Sequence, residues 1–186
     1  IRGVCPRLKA ALLDPRLPSF RQPFTNTMKS NLPKPEIDNA LFDAIASLFN
    51  EKIPFNRVLG VRLALLRYDL VKARLEMRDE LVGNYIHGSL HGGVISALLD
   101  VTGGLAAFMG IQQKLAESSL EKKLKQFGKL GTIDLRVDYL RPGLGRLFIS
   151  SGYSLRTGNK VAVTRIELHN EKGALIAAGT GSYVIA

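Results

Sequence analysis

The sequence has one cysteine, and its first residues form no long hydrophobic run. Cys5 cannot form an internal disulfide, so nothing indicates an oxidising compartment, and we expect a cytoplasmic protein. The chain begins without the apolar stretch of a secretory signal. We expect no metal site and no cofactor.

Acidic residues are scarce: 26 lysines and arginines face 16 aspartates and glutamates, a net charge of +10. Residues 1–27 hold five basic residues, one acid and four prolines, without sustained periodicity. We expect them to be a disordered arm or a non-native upstream translation, and residues 28–186 to form one domain. An organelle-targeting segment is the alternative, although the prolines disfavour an amphipathic helix. No basic strip interleaved with aromatic residues is present, so nucleic acid is not an expected partner.

Asp100 is the only formal charge between Leu81 and Gln113, inside the apolar run HGGVISALLDVTGGLAAFMG (residues 91–110). A bare buried carboxylate costs several kcal/mol, so this group must be paired, hydrogen-bonded or protonated. We interpret Asp100 as the acid or base of an enzyme. The alternative is an ordinary core helix with one satisfied aspartate.

The same run has the periodicity of a helix. Bulky residues recur every three or four positions: Val94, Leu98, Val101, Leu105 and Phe108. The opposite stripe consists of Asp100 and small residues: Gly93, Ser96, Ala97, Gly103, Gly104 and Ala107. A second backbone or a slender ligand could approach such a stripe closely. The run could also span a membrane by length, but its central aspartate and its glycines argue against a span.

The remaining pattern predicts an α+β protein. Residues 36–50 form an amphipathic helix, Pro54 and Gly60 bracket a loop, and residues 61–68 and 70–77 form two strands. A loop over residues 82–90 leads into the long helix. Residues 112–129 are lysine-rich with a helical stripe, either a solvated surface helix or a mobile cover over a site. Four strands follow as an antiparallel meander, at residues 132–140, 146–156, 160–169 and 174–185. Gly158 and Asn159, which are residues that tolerate positive φ, form the turn between the second and third of these strands.

Three separated blocks carry a resemblance to a known family: LHGGVISALLD (residues 90–100), TIDLRVDYLRPG (132–143) and RTGNKVAVTRIELHNEKGALIAAGTGSY (156–183). In this order they resemble hotdog-fold acyl-CoA thioesterases of the PaaI-like superfamily, in particular the medium- and long-chain enzymes. The resemblance implies a hotdog fold, in which an antiparallel sheet wraps one long central helix. It implies a hydrolase of fatty acid metabolism that assembles as a homodimer or a dimer of dimers.

The resemblance also assigns roles to residues. It places the catalytic carboxylate on Asp100, the oxyanion donor on Gly92, and the residue that orients water or carboxylate on Thr132. His91 belongs to the same motif, although packing and hydrogen bonding at the start of the helix is the favoured interpretation for it. The family has an asparagine six residues before this histidine, where Tyr85 stands here, so we assign Asn84 through a one-residue shift of the loop. Coenzyme A contacts fall on five residues: Tyr139, Arg141, Arg156, Asn159 and Lys160.

The spacing of Gly92 and Asp100 adds a constraint that is independent of the resemblance. Eight residues on one helix span about 12 Å, which is too far for both groups to act on one carbonyl. We therefore expect a two-fold dimer whose sites each take Gly92 from one chain and Asp100 from the other. Asp100 would either activate water or attack the thioester directly.

Two other functions fit parts of the sequence. A hotdog dehydratase or hydratase would need an imidazole with an acid on the central helix, but His91 only leads the helix. A non-catalytic acyl-CoA-binding protein that senses lipid levels would usually also contain a DNA-binding segment, and the sequence shows no pattern of such a segment. We expect an acyl-CoA thioesterase without a membrane span.

Overall fold

In the computed structural model, which describes residues 39–115 and 117–185, an antiparallel sheet packs around one long helix. The helices are α1 (Asn39–Ser47), α2 (Pro54–Leu59), α3 (Gly92–Lys114) and α4 (Leu120–Lys125). The strands are β1 (Arg62–Leu66), β2 (Val71–Glu76), β3 (Val82–Asn84), β4 (Ser89–Leu90), β5 (Gly131–Tyr139), β6 (Leu147–Thr157), β7 (Val161–Asn170) and β8 (Leu175–Val184). The architecture confirms the predicted α+β hotdog fold. The predicted arm, residues 1–27, lies outside the described residues.

Within the described residues the main sheet has six strands in the order β1-β2-β6-β7-β8-β5, and every neighbouring pair is antiparallel. Strands β6, β7 and β8 form the predicted meander. The prediction was wrong for β5, which pairs with β8 at the edge of the sheet and not with its successor β6. The connection from β5 to β6, residues 140–146, holds Pro142, Gly143 and Gly145 and carries the chain from one end of this order towards the middle. The turn between β6 and β7 lies where it was predicted, but no non-glycine residue among those described has positive φ, and Gly158 has none either.

Helix α3 forms the core because its bulky residues pack against the sheet. Leu98 and Phe108 are fully buried, and they belong to one apolar cluster with Ala73 and Leu75 of β2 and Ile166 of β7. The helix is long and apolar enough to cross a membrane, but 78% of its most apolar window is buried inside the protein. It is therefore the core helix of this fold.

The segment before the sheet is more helical than predicted. Helix α1 continues as a π-helical turn, Leu48–Lys52, and residues 36–38 of the predicted helix lie outside the described part of the chain. Residues 54–59 form helix α2, where a loop was predicted. Proline at the first helical position is compatible with a helix, and Gly60 ends α2 in the left-handed conformation at φ 76°. Both residues therefore mark the ends of a helix.

Two further segments position the site. The predicted loop over residues 82–90 contains the short β3–β4 hairpin. The lysine-rich segment forms α4 and a 3₁₀ turn, Gln126–Lys129, which is anchored by an edge-to-face contact between Phe127 and Phe108 at 5.5 Å between ring centroids. Leu124 and Phe127 of this segment thus pack against the core, whereas Leu120 is exposed.

Candidate active site

Asp100 stands on the side of α3 that faces β5, and its carboxylate is hydrogen-bonded and half-buried. The hydroxyl of Thr132 donates to Asp100 Oδ1 at 2.9 Å. The Tyr183 phenol on β8 donates to the backbone oxygen of Asp100 at 3.2 Å and lies 3.4 Å from Oδ1. No lysine or arginine within residues 39–115 and 117–185 forms an ion pair with this carboxylate. The carboxylate is therefore stabilised by neutral donors and is only half-buried, whereas the sequence suggested a buried group.

A β-bulge brings Thr132 to the carboxylate. The register between β5 and β8 shifts between Thr132 and Asp134, which inserts one residue into the alternation. The alternation along residues 132–140 predicts that Ile133, Leu135, Val137 and Tyr139 share one face of the strand. Leu135, Val137 and Tyr139 do face the helix, but Ile133 does not continue their row and is 58% exposed. Thr132 takes the inward position and hydrogen-bonds Asp100.

The backbone N–H groups at the start of helix α3 find different hydrogen-bond acceptors, and one of them has none among the described residues. The His91 N–H donates to Leu81 O at 2.8 Å, the Gly93 N–H donates to His91 Nδ1 at 2.9 Å, and the Val94 N–H donates to His91 O at 3.0 Å. The Gly92 N–H has no acceptor in the part of the chain that the structure describes. His91 is thus the N-cap, with Nδ1 as the acceptor, and Gly92 presents a free donor at the positive end of the helix.

A cleft of about 370 Å³ opens beside this donor. Gly92, Tyr139 and Arg141 line it, together with Leu90, Ile95 and Pro142. The Tyr139 phenol donates to Gly92 O at 3.2 Å, and Arg141 donates to Leu175 O at 2.9 Å. Two of the five residues assigned to coenzyme A therefore share a cleft with the assigned oxyanion donor.

The other three coenzyme A candidates lie towards the opposite end of α3. Arg156 lines a second cleft of about 380 Å³, with Gly110 and Lys114 from the last turns of the helix. Asn159 and Lys160 are exposed in the neighbouring β6–β7 turn. Within one chain the five residues form two groups, and Asp100 lies between them along the helix.

Asn84 lies in the exposed β3–β4 hairpin. Its side-chain oxygen accepts from the N–H groups of Ile86 and His87 at 3.1 and 3.3 Å, which closes the turn. Among the described residues it makes no hydrogen bond with Gly92 or Asp100. Its assignment by a loop shift stays a prediction.

The stripe of small residues on α3 divides into two parts. Gly93, Ser96 and Ala97 remain exposed or half-buried, whereas Gly103, Gly104 and Ala107 are buried. A Cβ on Gly103 would overlap the Tyr183 hydroxyl. The expectation that the whole stripe could receive a second backbone or a ligand was therefore wrong for its second half, where the chain's own sheet occupies the space.

Tyr183 is a residue of the site that the sequence analysis missed. It is 1% exposed. Burial, the charge of Asp100 and the hydrogen bond to it raise the pKa of the Tyr183 phenol well above its usual value, and Thr164 lowers it by less. The phenol is therefore protonated at neutral pH and can donate to Asp100. An aromatic residue in an apolar strand gave no signal of a polar role.

The described residues contain no group of three or more His, Cys, Asp or Glu side chains that could hold a metal ion. The groups that the structure offers for the candidate chemistry are one carboxylate, two hydroxyl donors and one free backbone N–H.

Comparison with known proteins gives consistent results. Residues 87–177 match the family model of the thioesterase superfamily. The chain is 44% identical over 144 residues, 76% of its length and 91% of the relative's, to the medium/long-chain acyl-CoA thioesterase YigI of Escherichia coli. A crystal structure of a Shewanella oneidensis protein related to the thioesterase superfamily superimposes with a TM-score of 0.76, at 42% identity over 79% of this chain and 96% of that one. A candidate thioesterase from Syntrophus aciditrophicus gives a TM-score of 0.72 at 52% identity, over 79% and 97% of the two chains.

Proposed function

The chain belongs to the thioesterase superfamily, and from this premise we propose that it hydrolyses acyl-CoA thioesters to a free acid and coenzyme A. The proposal rests mainly on the half-buried carboxylate of Asp100, which accepts a hydrogen bond from Thr132 on the edge strand β5. The similarity to a medium/long-chain acyl-CoA thioesterase supports a fatty acyl substrate. Such an enzyme would be cytoplasmic, would act in fatty acid metabolism and would need no cofactor.

The proposed active site needs two chains. Helix α3 is continuous from Gly92 to Lys114, so Gly92 and Asp100 stay about 12 Å apart along its axis. A thioester carbonyl that accepts a hydrogen bond from one cannot also be attacked from the other. Each site therefore combines Asp100 of one chain with Gly92 of a second copy.

Strand β5 supplies an edge for such an assembly. Among the described residues β5 pairs with β8 on one side only, and no strand pairs with its other edge. An unpaired edge with an exposed Ile133 is a natural place for pairing with another strand. If two β5 strands pair antiparallel about a two-fold axis, the Thr132 end of one lies beside the Tyr139 end of the other. The Asp100 of each chain then faces the partner's cleft.

The same pairing of β5 strands would bring the two groups of coenzyme A candidates together, one group from each chain. Val161 and Gly131 both pair with Val184, so the β6–β7 turn and the Thr132 end of β5 lie at one end of the sheet. Arg156, Asn159 and Lys160 would then approach the cleft that holds Arg141 of a second copy. The positive charges of Arg156 and Lys160 from one chain, and of Arg141 from the other, would then lie near the phosphates of one coenzyme A.

The roles follow from the contacts. The free Gly92 N–H, at the positive end of α3, would stabilise the oxyanion that develops on the thioester carbonyl. Asp100 would activate water or attack the carbonyl carbon, and Thr132 would hold its Oδ1. His91 would act by capping the helix and so fixing the position of the donor.

Thiol release from a panel of acyl-CoAs tests the proposal: C4 to C18 chains with phenylacetyl and hydroxybenzoyl forms. The wild type should release coenzyme A, and Asp100→Asn should lose nearly all of the activity. Asp138→Asn is the matched control, because Asp138 lies on the same strand as Thr132 and pairs with Arg136. Equal hydrolysis by wild type and Asp100→Asn would remove the carboxylate from the mechanism. Tight binding of acyl-CoA without turnover by the wild type would instead support a lipid sensor.

A further inference from the structure

Asp100 receives two side-chain donors on the same oxygen. Thr132 and the Tyr183 phenol both lie within hydrogen-bond distance of Oδ1, at 2.9 and 3.4 Å. The other oxygen, Oδ2, has no hydrogen-bond partner within residues 39–115 and 117–185. The carboxylate is therefore held at one oxygen and free at the other.

The phenol also fixes the backbone beneath this carboxylate. It lies 3.2 Å from the backbone oxygen of Asp100, so a single hydroxyl bridges the main chain and the side chain of one residue. Thr132 approaches from the edge strand β5, and Tyr183 from its neighbour β8. Rotation of the carboxyl group would break contacts to both strands.

Two glycines provide the space that this arrangement needs. A Cβ on Gly103 of α3 would overlap the phenol hydroxyl, and a Cβ on Gly181 of β8 would come within 2.6 Å of the same oxygen. Any side chain at either position would displace the phenol from the carboxylate. The helix and the strand are both shaped to admit this one hydroxyl.

A buried tyrosine needs a hydrogen-bond partner for structural reasons alone, but this one has another partner at hand. The fully buried Thr164 hydroxyl, on the neighbouring strand β7, is close enough to affect the pKa of the phenol. By distance and angle the Thr164 oxygen has no hydrogen-bond partner among the described residues, although it lies near enough to the phenol oxygen to lower the pKa of Tyr183. The phenol instead contacts Asp100.

We infer that Tyr183 is a positioning residue: together with Thr132 it immobilises Oδ1 of Asp100 and so directs Oδ2 towards the water or the thioester. The inference rests on the proposed function, in which Asp100 is the base or the nucleophile. In this role Tyr183 acts through the carboxylate of Asp100. Its loss should lower kcat and leave substrate binding intact.

The test compares Tyr183→Phe with wild type in the thiol-release assay, on the best substrate of the acyl-CoA panel. Tyr153→Phe is the matched control, since Tyr153 points to the outer face of the sheet on β6. We expect kcat of Tyr183→Phe to fall about tenfold, the lower range for a hydrogen bond to a charged group, because the contact is long. KM should change by less than about twofold, and Tyr153→Phe should match wild type.

The outcomes separate the inference from the proposed function. Asp100→Asn that hydrolyses as fast as wild type refutes the catalytic role of Asp100, and a wild type that releases no coenzyme A refutes the proposed function. Inactive Asp100→Asn together with Tyr183→Phe at full kcat refutes the positioning role alone. A rise in KM without a fall in kcat would also overturn it, because the phenol would then serve binding.

A second pair of variants keeps the test valid if Tyr183→Phe does not fold. Gly103→Ala pushes the phenol away, whereas a Cβ on the adjacent Gly104 meets Leu130 and Tyr183 at an ordinary 3.6 Å. Gly103→Ala should lower kcat at unchanged KM, and Gly104→Ala should not. Equal behaviour of the two alanine variants would contradict the inference.

Discussion

The oxyanion role of Gly92 can be tested by removing one N–H and little else. Gly92 is the first residue of α3, a position where proline is favoured because its missing N–H has no helical partner. Proline requires an extended residue before it, and His91 already has φ −63° and ψ 138°. Gly92→Pro should therefore fold, with a gain in the free energy of unfolding of about 0.4–1 kcal/mol from the stiffer unfolded chain.

The cost to catalysis should be large. Removal of one oxyanion donor typically lowers kcat by about 10²–10³. Gly92→Ala is the matched control, because it keeps the N–H and its Cβ would lie 3.6 Å from the Tyr139 ring, an ordinary contact. Thiol release should show kcat near that of wild type for Gly92→Ala and a loss of at least about a hundredfold for Gly92→Pro, while urea unfolding shows both to be folded. A folded Gly92→Pro with the kcat of Gly92→Ala would refute the assignment of this donor.

Three further predictions concern the surroundings of the site. His91→Ala should lose about 0.5–2 kcal/mol in the free energy of unfolding because the Gly93 N–H loses its acceptor, whereas His91→Asn should retain the cap; equal stabilities by urea unfolding would contradict this. The raised pKa of Tyr183 keeps it protonated in the folded state above pH 10, where the unfolded chain loses that proton. As the pH rises above 10, the free energy of unfolding of wild type should therefore fall by about 1.4 kcal/mol per pH unit more than that of Tyr183→Phe. Parallel curves of unfolding free energy against pH for the two proteins would refute this. Ile133→Lys should leave the protomer folded but shift light scattering towards monomer, and an unchanged mass would place the interface elsewhere than β5.

The long helix and most strands could be predicted because their signals are local. The run around Asp100 has one charge and a regular apolar stripe, and this placed α3 within a few residues of its observed bounds. The resemblance placed Thr132 near Asp100, where the structure shows a hydrogen bond. Alternation alone would have pointed Ile133 inward, because a bulge is not visible in periodicity.

The errors arose where distant segments decide the structure. The place of β5 beside β8 depends on pairing between residues about 45 positions apart, for which no local pattern exists. The glycines of α3 indicated a close approach, but not that Tyr183 would fill the space. Helix α2 was missed because Pro54 and Gly60, which often bracket loops, also start and end helices.

Complementation between two inactive variants tests the shared active site most directly. Gly92→Pro and Asp100→Asn should each be inactive alone. In a mixed dimer, one site combines the intact Gly92 of one chain with the intact Asp100 of the other. Random exchange of subunits should therefore restore about a quarter of the wild-type kcat per chain, because half of the dimers are mixed and each has one intact site. No recovery in samples where mixed dimers are shown to form would contradict a site shared between two chains.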